Sequence, residues 1–554
     1  MSYEKKYQFW LNQKDLDPHL LNELIRLNEE QIQEVFHSDL SFGTGGLRGL
    51  MGVGTNRVNV YTIRKASLGF ARYIKTLNHQ GGIAISYDNR HYSKMFAKEA
   101  AMVLANEGIK SYLFENLRPT PMLSYAVRHF ECAGGIMITA SHNPKEYNGY
   151  KVYDATGAQV NLETAENIID EINKIDNPFE IDVTDNQLIT YIDHSFDDIY
   201  LDDVKTIMLN DQEKVIKIVY SPLHGTGGEV IPRLLDESEF EVYPYMPQMA
   251  VDPNFSKTKS SNPEEENAYI ETIKYAKEID ADIIMITDPD ADRLGIAVKH
   301  DGDYHLLNGN QTAVIELYYI LQERRKKNIL PINGMAYKTI VTTDLIDMIA
   351  ASFNISTTST LTGFKFIGEK AELDKEKFSY VFGCEESYGS LVAPFVRDKD
   401  AVQACFILAE IANYMKLKDM TLIDYLESIY KAYGYFYEYT KSITLPGISG
   451  IDKINSIMNH FRHNPPVIYD KYLISFDDYK KGIKIQNGKV SKLDLPKSDV
   501  LKYYYQDHTW IVLRPSGTEP KMKIYFQTVQ KSLADGKKYI DQILTNLLKE
   551  IDTI

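Results

Sequence analysis

Short apolar runs alternate with amphipathic stretches along most of the 554-residue chain. The apolar runs end in polar or glycine-rich loops, as in GGIAISYDNR, GGIMITASHN, VIKIVYSPLHGTGG, ADIIMITDPDADR and FSYVFGCEESYG. Between them lie stretches with helical periodicity, such as SKMFAKEAAMVLANEG and EENAYIETIKYAKEI. This alternation predicts mostly parallel sheets with helices on their faces. Ligands bind beyond the carboxyl ends of the strands in such sheets, so we expect the chemistry in these loops.

The two ends of the chain show other patterns. Near the start, Asp17-Pro18 predicts the first turn of a helix whose apolar stripe includes Leu20 and Leu24. The last segment places several strand-like runs before one amphipathic helix, SLADGKKYIDQILTNLLKEI. That order predicts a separate α+β domain with an antiparallel sheet.

The predicted fold class is therefore α/β, with three consecutive α/β modules of mixed, mostly parallel sheets and a C-terminal α+β domain. A chain of this length is too long for one hydrophobic core, so several domains are expected. The spacing of the modules places the domains at 1–200, 201–305, 306–430 and 431–554.

Charge and cysteine content narrow the classes of function. A formal net charge of −16 argues against a nucleic-acid binder, which needs a basic face, but local basic clusters can still bind anionic small molecules. The cysteines Cys132, Cys384 and Cys405 are odd in number and lack CxxC spacing, so neither a disulfide framework nor a zinc site is expected. The start of the chain lacks a signal-peptide pattern, and no apolar run matches a membrane span. We expect a cytoplasmic protein without nucleic-acid or membrane partners.

Ser141 lies in the run TASHNP, directly after a predicted strand. The turn that Asn143-Pro144 favours would place its hydroxyl at the strand end, facing a cleft, as a candidate nucleophile. The neighbouring His142 could donate a hydrogen bond to a phosphate or assist proton transfer. Taken alone, the tetrapeptide SHNP is more typical of a plain loop with a helix cap.

Asp288, Asp290 and Asp292 alternate in the run DPDADR. In an extended loop they would project to one side and converge on a hard cation, magnesium or calcium rather than zinc. An EF-hand is excluded, because its sixth position needs Gly and holds Arg293, and its twelfth needs Glu and holds Lys299. Without a cation, the three carboxylates would repel one another, although the arginine can offset part of their charge and touch a phosphoryl group. A serine facing such a cation suits phosphoryl transfer through a phosphoserine.

Two further loops are candidate phosphate sites. The loop Gly43–Gly49 offers free amides and the guanidinium of Arg48, but a flexible turn is an equal alternative. Neither this loop nor the GTGG run at 225–228 matches GxGxxG, so dinucleotide binding is unsupported. The run RPSGTEP combines an arginine, two hydroxyls and glycine-freed amides, which favours a phosphate site over a plain β-turn.

The run CEESYG offers adjacent carboxylates, Glu385 and Glu386, with Ser387, which could bind neighbouring sugar hydroxyls. A glycosidase pair is the alternative, but adjacent residues at one strand end do not flank a scissile bond as two carboxylic catalysts must. Lys399 could serve a phosphate or act as an acid, although such a lysine alone is more typical of a surface charge.

The motifs TASHNP, DPDADR, CEESYG and RPSGTEP, in this order, resemble those of the α-D-phosphohexomutase superfamily, which includes phosphoglucomutases and phosphomannomutases. The resemblance extends from about Gly43 to Tyr525 and implies four domains around a central cleft. It also implies one magnesium ion per chain and sugar-phosphate substrates. We expect a monomer or a weak dimer.

The resemblance assigns a role to each motif. Ser141 carries the transferable phosphate and binds magnesium together with Asp288, Asp290 and Asp292. The implied catalytic residues are Ser141, His142, Arg48 and Lys399. The implied substrate-binding residues are Arg293, Thr362, Gly363, Phe364, Glu385, Ser387, Arg514, Ser516, Gly517 and Thr518.

The implied reaction interconverts glucose 1-phosphate and glucose 6-phosphate through a phosphoserine and glucose 1,6-bisphosphate, which also acts as activator. The run FGTGGLRGLMGVGTNRVN is similar to a longer subgroup that also holds phosphopentomutases. Gly45, Pro289 and Cys384 stand where many relatives have Ser, Gly and Gly, so mannose and pentose phosphates remain alternative substrates. The alternatives from other classes are a serine phosphatase and a non-catalytic sugar-phosphate binding protein.

Overall fold

The structure, a computed structural model, describes residues 1–43, 45–77, 79, 81–184, 186–445, 448–516 and 521–554. They form two compact units. The first comprises Met1–Thr312 with Phe364–Thr421, and the second comprises Ala313–Gly363 with Leu422–Ile554. Among the helices of these described ranges, none combines the length and the apolar character that a membrane crossing requires.

The chain up to residue 205 contains a mixed sheet covered by helices. Its elements are α1 Tyr3–Leu11, α2 Pro18–Leu24, α3 Glu29–Phe36, β1 Gly46–Leu50, α4 Val60–Thr76, β2 Ile83–Tyr87, α5 Ser93–Asn106, β3 Ser111–Phe114, α6 Thr120–His129, β4 Gly134–Ile138, β5 Tyr147–Asp154, α7 Leu162–Asn173, β6 Ile189–Ile192 and α8 Ser195–Lys205. The strand order is β1-β5-β4-β2-β3-β6. Strands β4, β2, β3 and β6 run parallel, whereas β5 pairs antiparallel with both β4 and β1.

A second mixed sheet follows in the same unit. Its elements are β7 Lys217–Ser221, α9 Gly227–Glu237, β8 Glu241–Pro244, α10 Met246–Met249, α11 Ile270–Ile279, β9 Ile283–Thr287, β10 Leu294–His300 and β11 Asp303–Leu307. The strand order is β11-β10-β9-β7-β8, parallel from β9 to β8 and antiparallel from β11 to β9.

The next stretch of chain is divided between the two units. Its elements are α12 Gly309–Lys326, β12 Gly334–Thr339, α13 Leu345–Ser352, β13 Ser356–Thr360, α14 Phe364–Asp374, β14 Ser379–Cys384, β15 Ser390–Leu391, α15 Ala401–Lys416 and α16 Leu422–Tyr433. In the second unit β12 and β13 pair in parallel, and in the first unit β14 and β15 pair antiparallel.

The last stretch forms an antiparallel sheet in the second unit. Its elements are β16 Tyr435–Thr444, α17 Ile448–His463, β17 Leu473–Asp478, β18 Ile483–Gln486, β19 Lys489–Lys492, β20 Leu501–Tyr505, β21 Trp510–Pro515, β22 Lys521–Gln530 and α18 Leu533–Thr553. The strand order is β16-β22-β21-β20-β17-β18-β19, and each neighbouring pair is antiparallel.

This architecture confirms the predicted α/β class with a C-terminal α+β part. The five quoted apolar runs form β2, β4, β7, β9 and β14, and the predicted α2 begins at Pro18. Asp17 caps it by accepting hydrogen bonds from the amides of His19 and Leu20, as the Asp-Pro pattern indicates. The three domain boundaries, near residues 200, 305 and 430, stay a prediction.

A buried polar cluster lies inside the second unit, between β12, α13 and the antiparallel sheet. Lys338 pairs with Asp344 at 2.8 Å and with Asp347 at 2.5 Å, and Trp510 Nε1 donates to Asp344 Oδ2 at 3.1 Å. Glu438 on β16 belongs to this cluster. Its Oε1 is sealed from solvent and accepts no hydrogen bond from the part of the chain that the structure describes. Burial, reinforced by the charge of Asp344, raises the pKa of Glu438 to about 7.

The raised pKa predicts that Glu438→Gln reduces the loss of stability at alkaline pH. The pKa of Glu438 is about 7 in the folded state and 4.5 in its ordinary state. The contribution of the neutral carboxyl to the free energy of unfolding is therefore complete below pH 4.5 and is lost as pH rises through 7. A neutral amide removes this dependence, so we expect the variant to gain about 2 kcal/mol over wild type between pH 5 and pH 8. Urea unfolding at both pH values measures it. The exposed Asp541→Asn is the control, and equal pH dependence in all three proteins would contradict the prediction.

Candidate active site

Ser141 lies in the loop after β4 in a left-handed backbone conformation, with φ of 52°. Such a φ is unfavourable for a residue other than glycine, so surrounding contacts must hold it. One such contact is its own amide, which donates to Thr139 Oγ1 at 2.8 Å. The side chain is only 3% exposed, and its Oγ donates to Asp288 Oδ2 at 2.8 Å. The structure therefore brings the loop after β4 against the loop after β9.

His142 lies beside the same hydroxyl, with Nδ1 at 3.2 Å from Ser141 Oγ. Its backbone carbonyl accepts a hydrogen bond from Ser261 Oγ at 3.0 Å. Burial, followed by the positive charges of Arg293 and Arg48, lowers the pKa of the imidazole well below its ordinary value. The predicted position of His142 near the reacting group agrees with this geometry, and its role stays a prediction.

The loop after β9 is a turn, whereas we expected an extended segment. The amide of Ala291 donates to the carbonyl of Asp288 at 2.9 Å, and the φ of Ala291 is 49°. The Asp288 carboxylate Oδ1 accepts the amides of Asp292 at 3.1 Å and Arg293 at 3.0 Å. These short-range bonds from an aspartate to the following backbone favour the turn over an extended chain. The three carboxylates converge because the backbone folds back.

The glycine loop after β7 supports this turn. The amide of Thr226 donates to the carbonyl of Pro289 at 2.8 Å. A Cβ at Gly225 would lie 2.4 Å from the Cα of Pro289, so a larger residue would displace the aspartate loop. The GTGG run therefore has a packing role next to the site.

Two lysines neutralise much of the acidic cluster. Lys151 on β5 places its Nζ 2.8 Å from Asp290 Oδ2 and 3.4 Å from Asp292 Oδ2. Lys399 places its Nζ 2.8 Å from the same Asp292 oxygen. Burial would lower the pKa of both ammonium groups, but the facing carboxylates reverse this and raise it. Both lysines therefore remain positively charged.

The carboxylates respond unequally to this environment. Burial, followed by the neighbouring Asp290 and Asp292, raises the pKa of Asp288 well above its ordinary value. Burial would also raise the pKa of Asp290, but the charge of Lys151 holds it below the ordinary range.

The arrangement fits a hard divalent cation. One carboxylate oxygen from each of Asp288, Asp290 and Asp292 lies within 4.8 Å of the others, and all three residues are buried. Oδ1 of Asp290 and Oδ1 of Asp292 are sealed from solvent, yet accept no hydrogen bond within the described ranges. Buried carboxylate oxygens normally accept hydrogen bonds, so these two oxygens are well placed to bind a metal ion.

Arg293 and Arg48 border the cluster. Arg293 pairs with Glu264 through Nη1 at 2.7 Å, and its Nε lies 3.9 Å from Asp292 Oδ1. It therefore lies close enough to offset part of the acidic charge, as expected, while its shortest ion pair is with Glu264. Arg48 on β1 donates through Nη1 to Asn143 Oδ1 at 3.1 Å, in the serine loop, which we define as residues 139–147 from the end of β4 to the first residue of β5.

The predicted sugar-binding residues of the first unit lie near the end of β14 and at the start of α14. Glu385 is 5% exposed, and burial raises its pKa to about 7 although Lys399 opposes this. Ser387 is half-buried, and Phe364 is buried as the first residue of α14.

The remaining predicted residues belong to the second unit. Thr362 and Gly363 follow β13, and Arg514 lies on β21 with Nη1 3.5 Å from the hydroxyl of Tyr525. The amide of Ser516 donates to the carbonyl of Lys521 at 2.7 Å. The predicted residues Gly517 and Thr518 lie outside the described residues.

Sequence reasoning missed residues that complete the site. Lys151 lies in the strand-like run NGYKVYD. A lysine among the mostly apolar residues of this strand was the one sequence signal that it has a functional role. Thr120 begins α6, donates through Oγ1 to Asp290 Oδ2 at 3.1 Å, and had no motif to mark it. Arg90, at the end of the run SYDNR, contacts the serine loop through four backbone carbonyls.

Comparison with known proteins identifies the family. The phosphoglucomutase/phosphomannomutase family models match in order, with alpha/beta/alpha domain I at 39–179, domain II at 198–302, domain III at 308–433 and the C-terminal domain at 476–543. The phosphoglucomutase of Staphylococcus aureus is 39% identical over 503 residues, which cover 89% of this chain and 90% of that protein.

Solved structures share the fold at lower sequence identity. A phosphoglucomutase/phosphomannomutase family protein of Burkholderia thailandensis has a TM-score of 0.67 and 17% identity, covering 93% of this chain and 98% of that one. The phosphoglucomutase pp63/parafusin of Paramecium has a TM-score of 0.68 and 18% identity, covering 93% and 95%. At these identities the likeness concerns the fold.

The fold and the site thus define an α/β enzyme of phosphoryl transfer. The chain belongs to the phosphoglucomutase/phosphomannomutase family, as its four domain matches and its relatives show. The predicted enzyme class, an intramolecular phosphotransferase of the phosphohexomutase type within the isomerases, is confirmed by this membership.

The convergent carboxylates predict that Asp290→Asn weakens magnesium binding. Loss of an outer partner of a metal site typically lowers affinity 10- to 100-fold, so we expect loss of a ligand to lower it by about 100-fold or more. Isothermal titration calorimetry with MgCl₂ measures the change, and the exposed Asp236→Asn is the control. Equal magnesium affinity in wild type and Asp290→Asn would contradict the metal site.

Proposed function

We propose that this protein is a phosphoglucomutase that interconverts glucose 1-phosphate and glucose 6-phosphate through a phosphoserine at residue 141 and glucose 1,6-bisphosphate. The observation that carries the proposal is the 2.8 Å contact between Ser141 Oγ and Asp288 Oδ2, at the edge of three buried carboxylates. The sugar is inferred from the relatives named phosphoglucomutase. Phosphomannomutase and phosphopentomutase activities are the alternatives.

The chain's own residues prepare Ser141 for this chemistry. Its hydroxyl is buried, which limits the access of water to a phosphoserine formed there. The phosphoryl group adds negative charge beside three carboxylates, and Lys151 and Lys399 supply two compensating charges. Magnesium held by the serine oxygen and the three aspartates would, when bound, stabilise charge on the oxygens of the transferring group.

The sugar must bind in two orientations, because the phosphoserine first phosphorylates the free position of the monophosphate, and the serine then takes back the phosphate from the other position of the resulting bisphosphate. We assign the sugar hydroxyls to Glu385 and Ser387, and the specificity loop to Thr362, Gly363 and Phe364. We assign the positions near the reacting groups to Arg48, His142, Arg293 and Lys399. We assign the phosphate that is not transferred to Arg514, Ser516, Gly517 and Thr518.

We also expect a cytoplasmic location, a monomer or weak dimer, and activation by glucose 1,6-bisphosphate. None of these three properties changes the assignment of Ser141 as the phosphorylated residue.

Phosphorylation of Ser141 tests the proposed function directly. After incubation with glucose 1,6-bisphosphate, intact-mass and peptide analysis should show one phosphate on Ser141. Ser141→Ala should carry none and lose turnover by about 10⁴-fold or more, because the nucleophile is removed. The control Ser238→Ala, at the end of α9, should match wild type in both measurements.

The same measurements separate the rival functions. A phosphatase would release inorganic phosphate without exchanging sugar isomers. A binding protein would keep its function in Ser141→Ala. Phosphate on another residue, with turnover retained in Ser141→Ala, would overturn the proposal.

The sugar preference needs a separate comparison. Glucose, mannose, glucosamine and ribose 1-phosphates are assayed side by side with magnesium and a trace of the matching bisphosphate. We expect the highest kcat/KM with glucose 1-phosphate, by about tenfold or more over mannose 1-phosphate, since a buried polar group that loses its hydrogen bond to one sugar hydroxyl costs about 1–3 kcal/mol. A higher kcat/KM with the mannose or pentose substrate would replace the glucose assignment and leave the phosphoserine chemistry intact.

A further inference from the structure

Arg90 is a buried arginine whose position the proposed function does not explain. It follows β2, is 3% exposed, and donates hydrogen bonds to four backbone carbonyls of the serine loop. Its Nη2 donates to the carbonyls of Ser141 at 2.6 Å and Asn143 at 2.5 Å. Its Nη1 donates to those of Pro144 at 2.7 Å and Tyr147 at 3.0 Å. One guanidinium thus contacts the loop along most of its length.

Asp88 forms a buried ion pair with this guanidinium. Its Oδ2 lies 3.2 Å from Arg90 Nε, and both side chains are fully buried. Its Oδ1 accepts hydrogen bonds from Ser93 Oγ at 2.7 Å and from the Arg90 amide at 2.9 Å, which holds the carboxylate itself in place. The guanidinium carbon lies 5.3 Å from the centroid of the Phe255 ring. The arginine therefore has little freedom to turn away from the loop.

The start of β5, which follows the serine loop, also contacts the turn after β2. Asn148 Nδ2 donates to the carbonyl of His91 and to Ser93 Oγ, both at 3.0 Å. Its Oδ1 accepts the amide of Gly149 at 2.7 Å. The turn after β2 therefore holds the chain from Ser141 to the start of β5.

We propose that Arg90 is a positioning residue for phosphoryl transfer, which fixes the backbone of the serine loop so that Ser141 Oγ stays against Asp288. This inference rests on the proposed function for its effect on turnover, but its effect on the loop stands on the contacts alone. The left-handed backbone of Ser141, with φ of 52°, is unfavourable for a residue that carries a side chain. Four charge-assisted hydrogen bonds from one buried cation are enough to offset that.

Arginine suits this task and lysine does not. The planar guanidinium presents its donors in a rigid fork, so two nitrogens can each reach two carbonyls while Nε faces Asp88. A lysine ammonium is a single point with three donors, and it cannot contact four carbonyls spread over seven residues. Arg90→Lys therefore keeps the charge and removes the geometry.

The test compares Arg90→Lys with Arg64→Lys, a matched variant in the same unit whose partner is Glu99. For Arg90→Lys we expect kcat to fall on the order of 10²-fold with KM within about twofold of wild type, because a misplaced nucleophile slows the reaction more than it weakens binding. Hydrogen exchange of the amides in 139–149 should also become faster by about tenfold or more. Arg64→Lys should leave kcat, KM and this exchange rate at wild-type values.

A second variant covers the case in which Arg90→Lys does not fold. Asp88→Asn keeps Arg90 but removes its ion pair. We expect a smaller fall in kcat and a smaller rise in the exchange rate of 139–149 than in Arg90→Lys. Wild-type kcat and wild-type exchange of 139–149 in the folded Arg90 or Asp88 variants would overturn the proposal. If wild type carries no phosphate on Ser141, the proposed function fails, while the exchange comparison still decides whether Arg90 holds the loop.

Discussion

The constraint on which the site depends is the burial of three carboxylates at one point. Asp288, Asp290 and Asp292 are almost inaccessible to solvent, and like charges so close repel strongly in a medium of low polarity. Positive charge from other segments of the chain offsets part of this repulsion. Lys151 comes from a strand of the first sheet, and Lys399 from the loop before α15. The acidic turn therefore favours contact with β5 and with the loop before α15, which lie far from it along the chain.

Hydrogen bonds to the buried carboxylate turn also connect the first two sheets of the first unit. Thr120 at the start of α6 donates to Asp290 through both its amide, at 2.9 Å, and its hydroxyl, at 3.1 Å. Ser141 donates to Asp288 from the neighbouring loop. Each of these donors belongs to the first sheet and its helices, and each acceptor belongs to the second. The proposed nucleophile, Ser141, and the candidate metal ligands are thus held by contacts that depend on one another.

Much of this could be predicted from the sequence because periodicity and motif chemistry are local. The strands β4 and β9 stand out as apolar runs, and the polar residues that follow each of them mark the chemistry. The shape of the aspartate loop could not be read in this way, because the bonds from Asp288 to later amides compete with an extended chain. Lys151 and Arg90 were missed because their partners lie 139 and 51 residues away along the chain, which no local pattern reveals.

The left-handed backbone at Ser141 also limits which nucleophile this loop can use. Threonine carries a hydroxyl of similar reactivity and can bear a phosphate, so chemistry alone does not separate the two residues. A β-branched side chain at a φ of 52° would clash with its own backbone, however, and would push the loop out of its conformation. The choice of serine over threonine is therefore made by the shape of the main chain.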